Sequence, residues 1–213
     1  MRDIVVLVAV ILLFFLGCRA ISEGFESSFE AAAAKLHDDP SVPGLGEVRA
    51  GDGSARKVQM ELRNPKKAAS LLAEIDKRNR ALIDYIREKH PDHPVTQLLV
   101  KRYKSEHIYE GLPDNDKNLT SYTSNKEIIG YCLRKKDRPD AVYNDLNMMA
   151  FVSIHEMAHM GSFTVGHNAE FWKNFKWLLE RAVEIGIYSP VNYRQNPREY
   201  CGLHVDHNPL FDG

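Results

Sequence analysis

His155, Glu156 and His159 form the pattern H-E-x-x-H, and His167 follows eight residues after the second histidine. Positions four apart on an α-helix are offset by only about 40° and rise about 6 Å, so His155 and His159 can turn two imidazoles toward one ion. Neutral imidazole nitrogen suits Zn2+, and a catalytic zinc usually takes three protein ligands and keeps a fourth position open for water. His167 is the candidate third ligand. Glu156 is not needed as a ligand. A carboxylate beside the first histidine can instead take a proton from water that the metal acidifies to a pKa of about 7. The chemistry these residues point to is metal-assisted hydrolysis of an amide.

A five-residue pattern also arises by chance, and a histidine pair on a helix can be a surface pair or a satisfied core pair. The surroundings decide against that. Met148, Met149, Phe151, Val152, Ile154, Met157, Ala158 and Met160 make the segment largely apolar. Two histidines and a glutamate in such a helix are buried without compensation unless something binds them. Glu170, His204 and His207 are the rivals of His167 for the third position, whereas His90, His93 and His107 read as solvated or capping residues.

The elements around the motif must position it. The spacing predicts a helix from about residue 144 to Met160, stopped by Gly161, and a reversing loop to Gly166. Asn168 is an N-cap for a second helix, whose Phe171, Trp172, Phe175, Leu178, Leu179, Ala182 and Val183 recur at core spacing and which Gly186 ends. His167 then sits on backbone fixed by cap and core. Upstream, residues 119–134 are rich in Thr, Tyr and Ile and read as one or two strands, which can line a cleft where an extended peptide pairs with an edge. Residues 66–89 and a segment starting at Pro94 read as scaffold helices. Residues 137–140 read as a turn, and the tail, 187–213, as an ordered loop over the body. The tail offers Tyr193, Tyr200, His204, Asp206 and His207 as candidate donors to an oxyanion.

The chain has 213 residues, 44% of them hydrophobic, enough for one domain with a real core. A formal net charge of -1 excludes a global basic field for nucleic acid and an acidic tail. Cys18, Cys132 and Cys201 form no disulfide framework, although a single Cys132–Cys201 bridge is possible. Residues 4–16 are uninterruptedly apolar, which predicts an N-terminal membrane helix over 1–21; a cleaved signal peptide and a lipoprotein signal at Cys18 are the alternatives. Arg2, Asp3 and Arg19 give no basis for topology, and Asn118 heads a glycosylation sequon that matters only in a luminal body. Residues 22–55, polar and then rich in Gly and Pro, read as a tether, so the catalytic body is expected over 56–213.

His155-Glu156-x-x-His159 with Gly166-His167-x-x-x-Phe171-Trp172 resembles the WLM and SprT-like groups of small zincin metallopeptidases, in which the third histidine precedes a helix carrying an aromatic residue. Thr120-Ser121-Tyr122-Thr123-x-Asn125-Lys126, Cys132-Leu133-Arg134 and Tyr200-Cys201-Gly202 are similar to segments of uncharacterised WLM-like proteins of large DNA viruses and algae that also carry an N-terminal hydrophobic segment. The resemblance covers about residues 60–209 and implies an α+β minimal zincin: a small strand layer, the active-site helix and a C-terminal helix. It implies zinc bound by His155, His159 and His167, Glu156 as base, and a protein or peptide substrate. Members of these groups include proteases acting on protein crosslinked to DNA, but here the basic residues are scattered, with no basic patch and interleaved aromatics. The rival from another class is a non-catalytic, zinc-binding, membrane-tethered interaction module. Glu156 argues against it, because a structural site has no use for a base and closes its fourth position.

Overall fold

The computed structural model describes residues 44–111 and 121–211. The expected membrane helix over 1–21 lies outside the described residues, as do Asn118 of the sequon and most of the expected tether. No helix among the described residues is long and apolar enough to cross a membrane.

Strands β1 (Leu45–Arg49) and β2 (Ala55–Gln59) form an antiparallel hairpin. The structure thus moves the start of the folded body from the expected residue 56 to before β1. Gly53, at φ 85°, sits in the turn of this hairpin and Gly44, at φ 90°, just before its first strand, so glycines that suggested a linker belong to the folded body. Helices α1 (Pro65–Lys89) and α2 (Pro94–Arg102) follow, both starting at a proline. They carry the chain across to β3 (Ile108–Glu110), which pairs parallel with β2 and with β5 (Ile128–Tyr131). Strand β4 (Tyr122–Ser124) pairs antiparallel with β5 and completes a sheet of order β1-β2-β3-β5-β4, with β4 at the edge.

The β4–β5 connection is the three residues Asn125, Lys126 and Glu127, the first two at φ of 49° and 57°, closed by the Glu127 N–H donating to the Ser124 carbonyl. Two left-handed residues match the twist of paired strands, and Asn adopts that region readily. On β5, a Cβ at Gly130 would stand 2.4 Å from the Tyr122 ring, so the glycine lets that ring lie across the strand.

Strands β6 (Arg134–Lys135) and β7 (Arg138–Val142) make a small second hairpin, in place of the plain turn expected over 137–140. Helix α3 (Leu146–Met160) then runs through the centre of the body, packed against α1, α2, β4 and α4 (Ala169–Glu184). Asp145 caps it, its carboxylate accepting from the backbone N–H of Asn147 and Met148. Most of α3 is buried, as its apolar composition requires. Gly161 ends it for a different reason from the one expected. Its φ is −84°, not left-handed, and a Cβ there would stand 2.9 Å from Val95 Cγ1, so close approach of α2 is what demands glycine.

A buried polar chain fixes α3 in register. Ser153 donates to Asn79 Oδ1 at 2.7 Å and lies 2.7 Å from the Tyr131 hydroxyl, linking α3 to α1 and β5. Asn79 also donates to the Tyr103 hydroxyl, which donates to Asp76, itself paired with Arg56 at 2.8 Å. With partners at each step the chain specifies one packing of the helices; losing one member leaves its neighbours buried and unsatisfied.

The tail holds strands β8 (Arg198–Tyr200) and β9 (Leu203–Val205), joined through Cys201 and Gly202 at φ of 51° and 79°. The sequence suggested a loop here, because three-residue strands carry too little periodicity to be seen. Cys201 is bonded to Cys132, with Cα atoms 6.3 Å apart and 69 residues of separation. A loop of that length gives about 4 kcal/mol of stabilisation. Reduction with dithiothreitol is therefore expected to lower the melting temperature by roughly 10 °C, read by circular dichroism; an unchanged midpoint after complete reduction contradicts it.

Candidate metal centre

His155 and His159 lie one turn apart on α3, and His167 reaches back to them from the loop before α4. Their Nε2 atoms form a triangle with sides of 3.3 Å (His155–His159), 3.1 Å (His159–His167) and 3.0 Å (His155–His167). Two nitrogens bound tetrahedrally to one zinc at about 2.0–2.1 Å stand roughly 3.3 Å apart, so the triangle has the size of a shared coordination sphere. Hydrogen bonding does not account for it. Each Nε2 offers either one proton or one lone pair, and three such atoms cannot satisfy one another. A cation held by all three would resolve the conflict. The donor set, three imidazoles without thiolate, suits zinc.

Electrostatics favour the ligating form. Burial, with the neighbouring histidines adding to it, holds the His155 imidazole well below its ordinary value and takes His159 down to about 3, so both are neutral at pH 7. Phe171, fully buried on α4, backs the triangle, with its ring 4.8, 4.3 and 4.7 Å from those of His155, His159 and His167. The aromatic stripe of α4 is core, as expected, and this one member is also the floor of the site.

The loop carrying His167 is braced throughout. Gly166, at φ 78°, turns the chain, and Asn168 accepts from the N–H groups of Glu170 and Phe171. Glu170 accepts from the backbone N–H of Phe163 and Thr164 and from the Thr164 hydroxyl. Lys126 donates to the carbonyls of His159 and Thr164, and Arg102 to those of Met160 and Ser162.

Glu156, the residue after His155 on α3, is buried, 4% exposed. Its Oε2 accepts a 2.8 Å hydrogen bond from the Thr123 hydroxyl on edge strand β4. Burial pushes its carboxyl up to about 8, while the Thr123 bond works in the opposite direction.

The rivals are placed elsewhere. Glu170 belongs to the loop brace; His204 pairs with Glu199 at 2.8 Å on the exposed β8–β9 hairpin; the His207 ring lies 5.3 Å from Trp172. Of the other tail candidates, Tyr193 is buried against Phe151, the Tyr200 hydroxyl donates to the Cys132 carbonyl, and Asp206 is exposed. His93 stacks on Trp177, and His90 meets the same ring edge-on.

No protein-family model matches the chain. The uncharacterized protein R325 of Acanthamoeba polyphaga mimivirus is 35% identical over 154 residues, 70% of this chain and 76% of that protein. The chain belongs to the same family. Two further similar proteins, both uncharacterized, come from invertebrate iridescent viruses. Protein 136R of virus 6 is 41% identical over 81 residues, 38% of this chain and 44% of that protein. Protein 042R of virus 3 is 37% identical over 83 residues, 39% and 50% of the two chains. The crystal structure of Wss1 from Saccharomyces cerevisiae matches with a TM-score of 0.44 at 19% identity, over 61% of this chain and 87% of that one, below the level at which a shared fold follows.

The three histidines singled out in the sequence, His155, His159 and His167, meet in one cluster, and Glu156, the residue after His155, meets Thr123. Sequence reasoning gave no role to Thr123, Lys126 or Arg102. Thr123 and Lys126 stand in a segment noted for its resemblance to viral proteins, but a threonine in a short strand gives no sign of which carboxylate it will meet.

Proposed function

We infer that the chain is a zinc-dependent peptidase in which His155, His159 and His167 hold the metal and Glu156 is the general base. One observation carries this reading: three Nε2 atoms lie within 3.3 Å of each other, and the residue after the first of those histidines on the same helix is a buried glutamate. Zinc, when bound, supplies a Lewis acid for the substrate carbonyl and lowers the pKa of water. The chain's own residues do the rest. Glu156 takes the proton from the attacking water and returns it to the leaving amine, a role open to a carboxylate that follows a ligand histidine on the same helix. Thr123 restrains the carboxylate. A peptide substrate is favoured because Thr123 lies on β4, which among the described residues pairs on one side only, leaving an edge beside Glu156 for an extended chain.

Attachment to a membrane through residues 4–16 belongs to the same proposal and rests on the sequence. The full chain is expected in the membrane fraction after alkaline carbonate extraction and a chain lacking residues 1–21 in the supernatant; equal partition of the two contradicts attachment.

The activity is tested by loading the full chain with zinc and incubating it with a broad peptide library, with and without Glu156→Gln. Cleavage by the wild type and its loss in the variant support the peptidase. Zinc binding without cleavage favours the non-catalytic zinc-binding module.

A further inference from the structure

Phe163 and Val165 are 66% and 47% exposed, on the loop that leads into His167. Scattered exposed apolar residues are ordinary. The other large ones, Met60, Val100, Leu146, Leu203 and Phe211, are spread over separate parts of the chain, whereas these two are separated by one residue beside the metal centre.

The loop is held in this state. The backbone N–H groups of Phe163 and Thr164 are tied to Glu170, the Val165 carbonyl accepts from Asn168, and the Thr164 carbonyl accepts from Lys126 at 2.7 Å. The Thr164 hydroxyl donates to Glu170, and the apolar neighbours on either side of it face solvent. A braced backbone that presents two apolar side chains has a surface ready for an apolar ligand, with little ordering cost left on binding.

Its position relative to β4 identifies the occupant. Lys126, in the turn at the end of β4, also donates to the His159 carbonyl, so the turn and the loop meet beside the site. A peptide lying along β4 opposite Thr123 reaches this turn within two or three residues, at about 3.3 Å per residue. Phe163 and Val165 flank Thr164, whose carbonyl Lys126 of that turn holds, so the pair stands at the end of the edge that such a peptide would reach.

We propose that Phe163 and Val165 form the specificity-determining subsite of this centre, receiving an apolar side chain of an extended peptide within about three residues of the bond that is cut. The inference rests on the peptidase reading for its substrate, yet binding can be read without cleavage. Fluorescent peptides identical except for Leu or Asp at each position in turn are titrated into zinc-loaded full chain carrying Glu156→Gln. At one position the Leu peptide is expected to bind roughly five- to tenfold tighter than its Asp counterpart. Phe163→Asp or Val165→Asp should abolish that preference with zinc content unchanged, and Phe163→Leu should retain it. Equal affinity of the Leu and Asp peptides at every position, or a preference that survives both substitutions, overturns the subsite. If the substitutions instead abolish binding to phosphatidylcholine vesicles and leave peptide affinity alone, the residues are a lipid contact and the proposal fails. Selective binding with no cleavage by the wild type refutes the peptidase activity and leaves the subsite standing.

Discussion

Glu156→Gln is expected to lower peptide hydrolysis by the zinc-loaded protein by a factor of about a hundred to ten thousand, with one zinc per chain retained. Glutamine keeps the shape of the side chain, and its carbonyl oxygen can still accept from the Thr123 hydroxyl that now meets Oε2 at 2.8 Å. It cannot take a proton. Thr123→Val removes the restraint and not the base, so its effect should be smaller, about tenfold on kcat, and Thr123→Ser should restore the rate because a serine hydroxyl can make the same bond. Steady-state kinetics on one cleaved peptide read all three. Equal rates for wild type and Glu156→Gln would remove Glu156 from the chemistry.

The metal-free protein is expected to be most stable near pH 6.5 and to lose stability on either side. The Glu156 carboxyl is raised from 4.5 to about 8, so between those values the folded state holds a proton that the unfolded chain releases. Its contribution is present below pH 4.5 and is lost as pH rises toward 8. His155 and His159 are shifted down from 6.5, His159 to about 3, so the unfolded chain binds more protons and stability falls as pH drops below 6.5. Below pH 6.5 two histidines outweigh one carboxyl; above it Glu156 acts alone. The fall between pH 6.5 and 8 is about 2 kcal/mol. Glu156→Gln should abolish this falling limb and leave the acid limb intact. Urea unfolding in a chelator across pH 5.5–8.5 measures both, and an unchanged falling limb in the variant contradicts the assignment to Glu156.

What was legible in the sequence was local. H-E-x-x-H fixes two imidazoles by helical spacing, Asn168 announces a helix start that holds His167, apolar spacing marks α1, and Pro94 marks the start of α2. What stayed hidden depends on distant partners or on short elements. Thr123 meets Glu156 across 33 residues, and Ser153 meets Asn79 across 74, pairings that periodicity does not encode. Strand β1 was obscured because hairpin glycines and linker glycines share a composition, and β8–β9 because two three-residue strands are too short to alternate visibly. Gly161 was assigned to the helix end for its type, whereas its place is set by Val95 on a separate helix. The Cys132–Cys201 pair was possible in sequence, and the β8–β9 turn is what brings it together.

That three histidines form one metal centre is tested most directly by zinc binding and X-ray absorption on the full chain. One zinc per chain, with three imidazole nitrogens at about 2.0 Å and no sulfur in its shell, is the expected result, together with loss of the zinc in His155→Ala, His159→Ala and His167→Ala. A chain that binds no zinc at micromolar metal, or whose zinc survives replacement of His167, would contradict it.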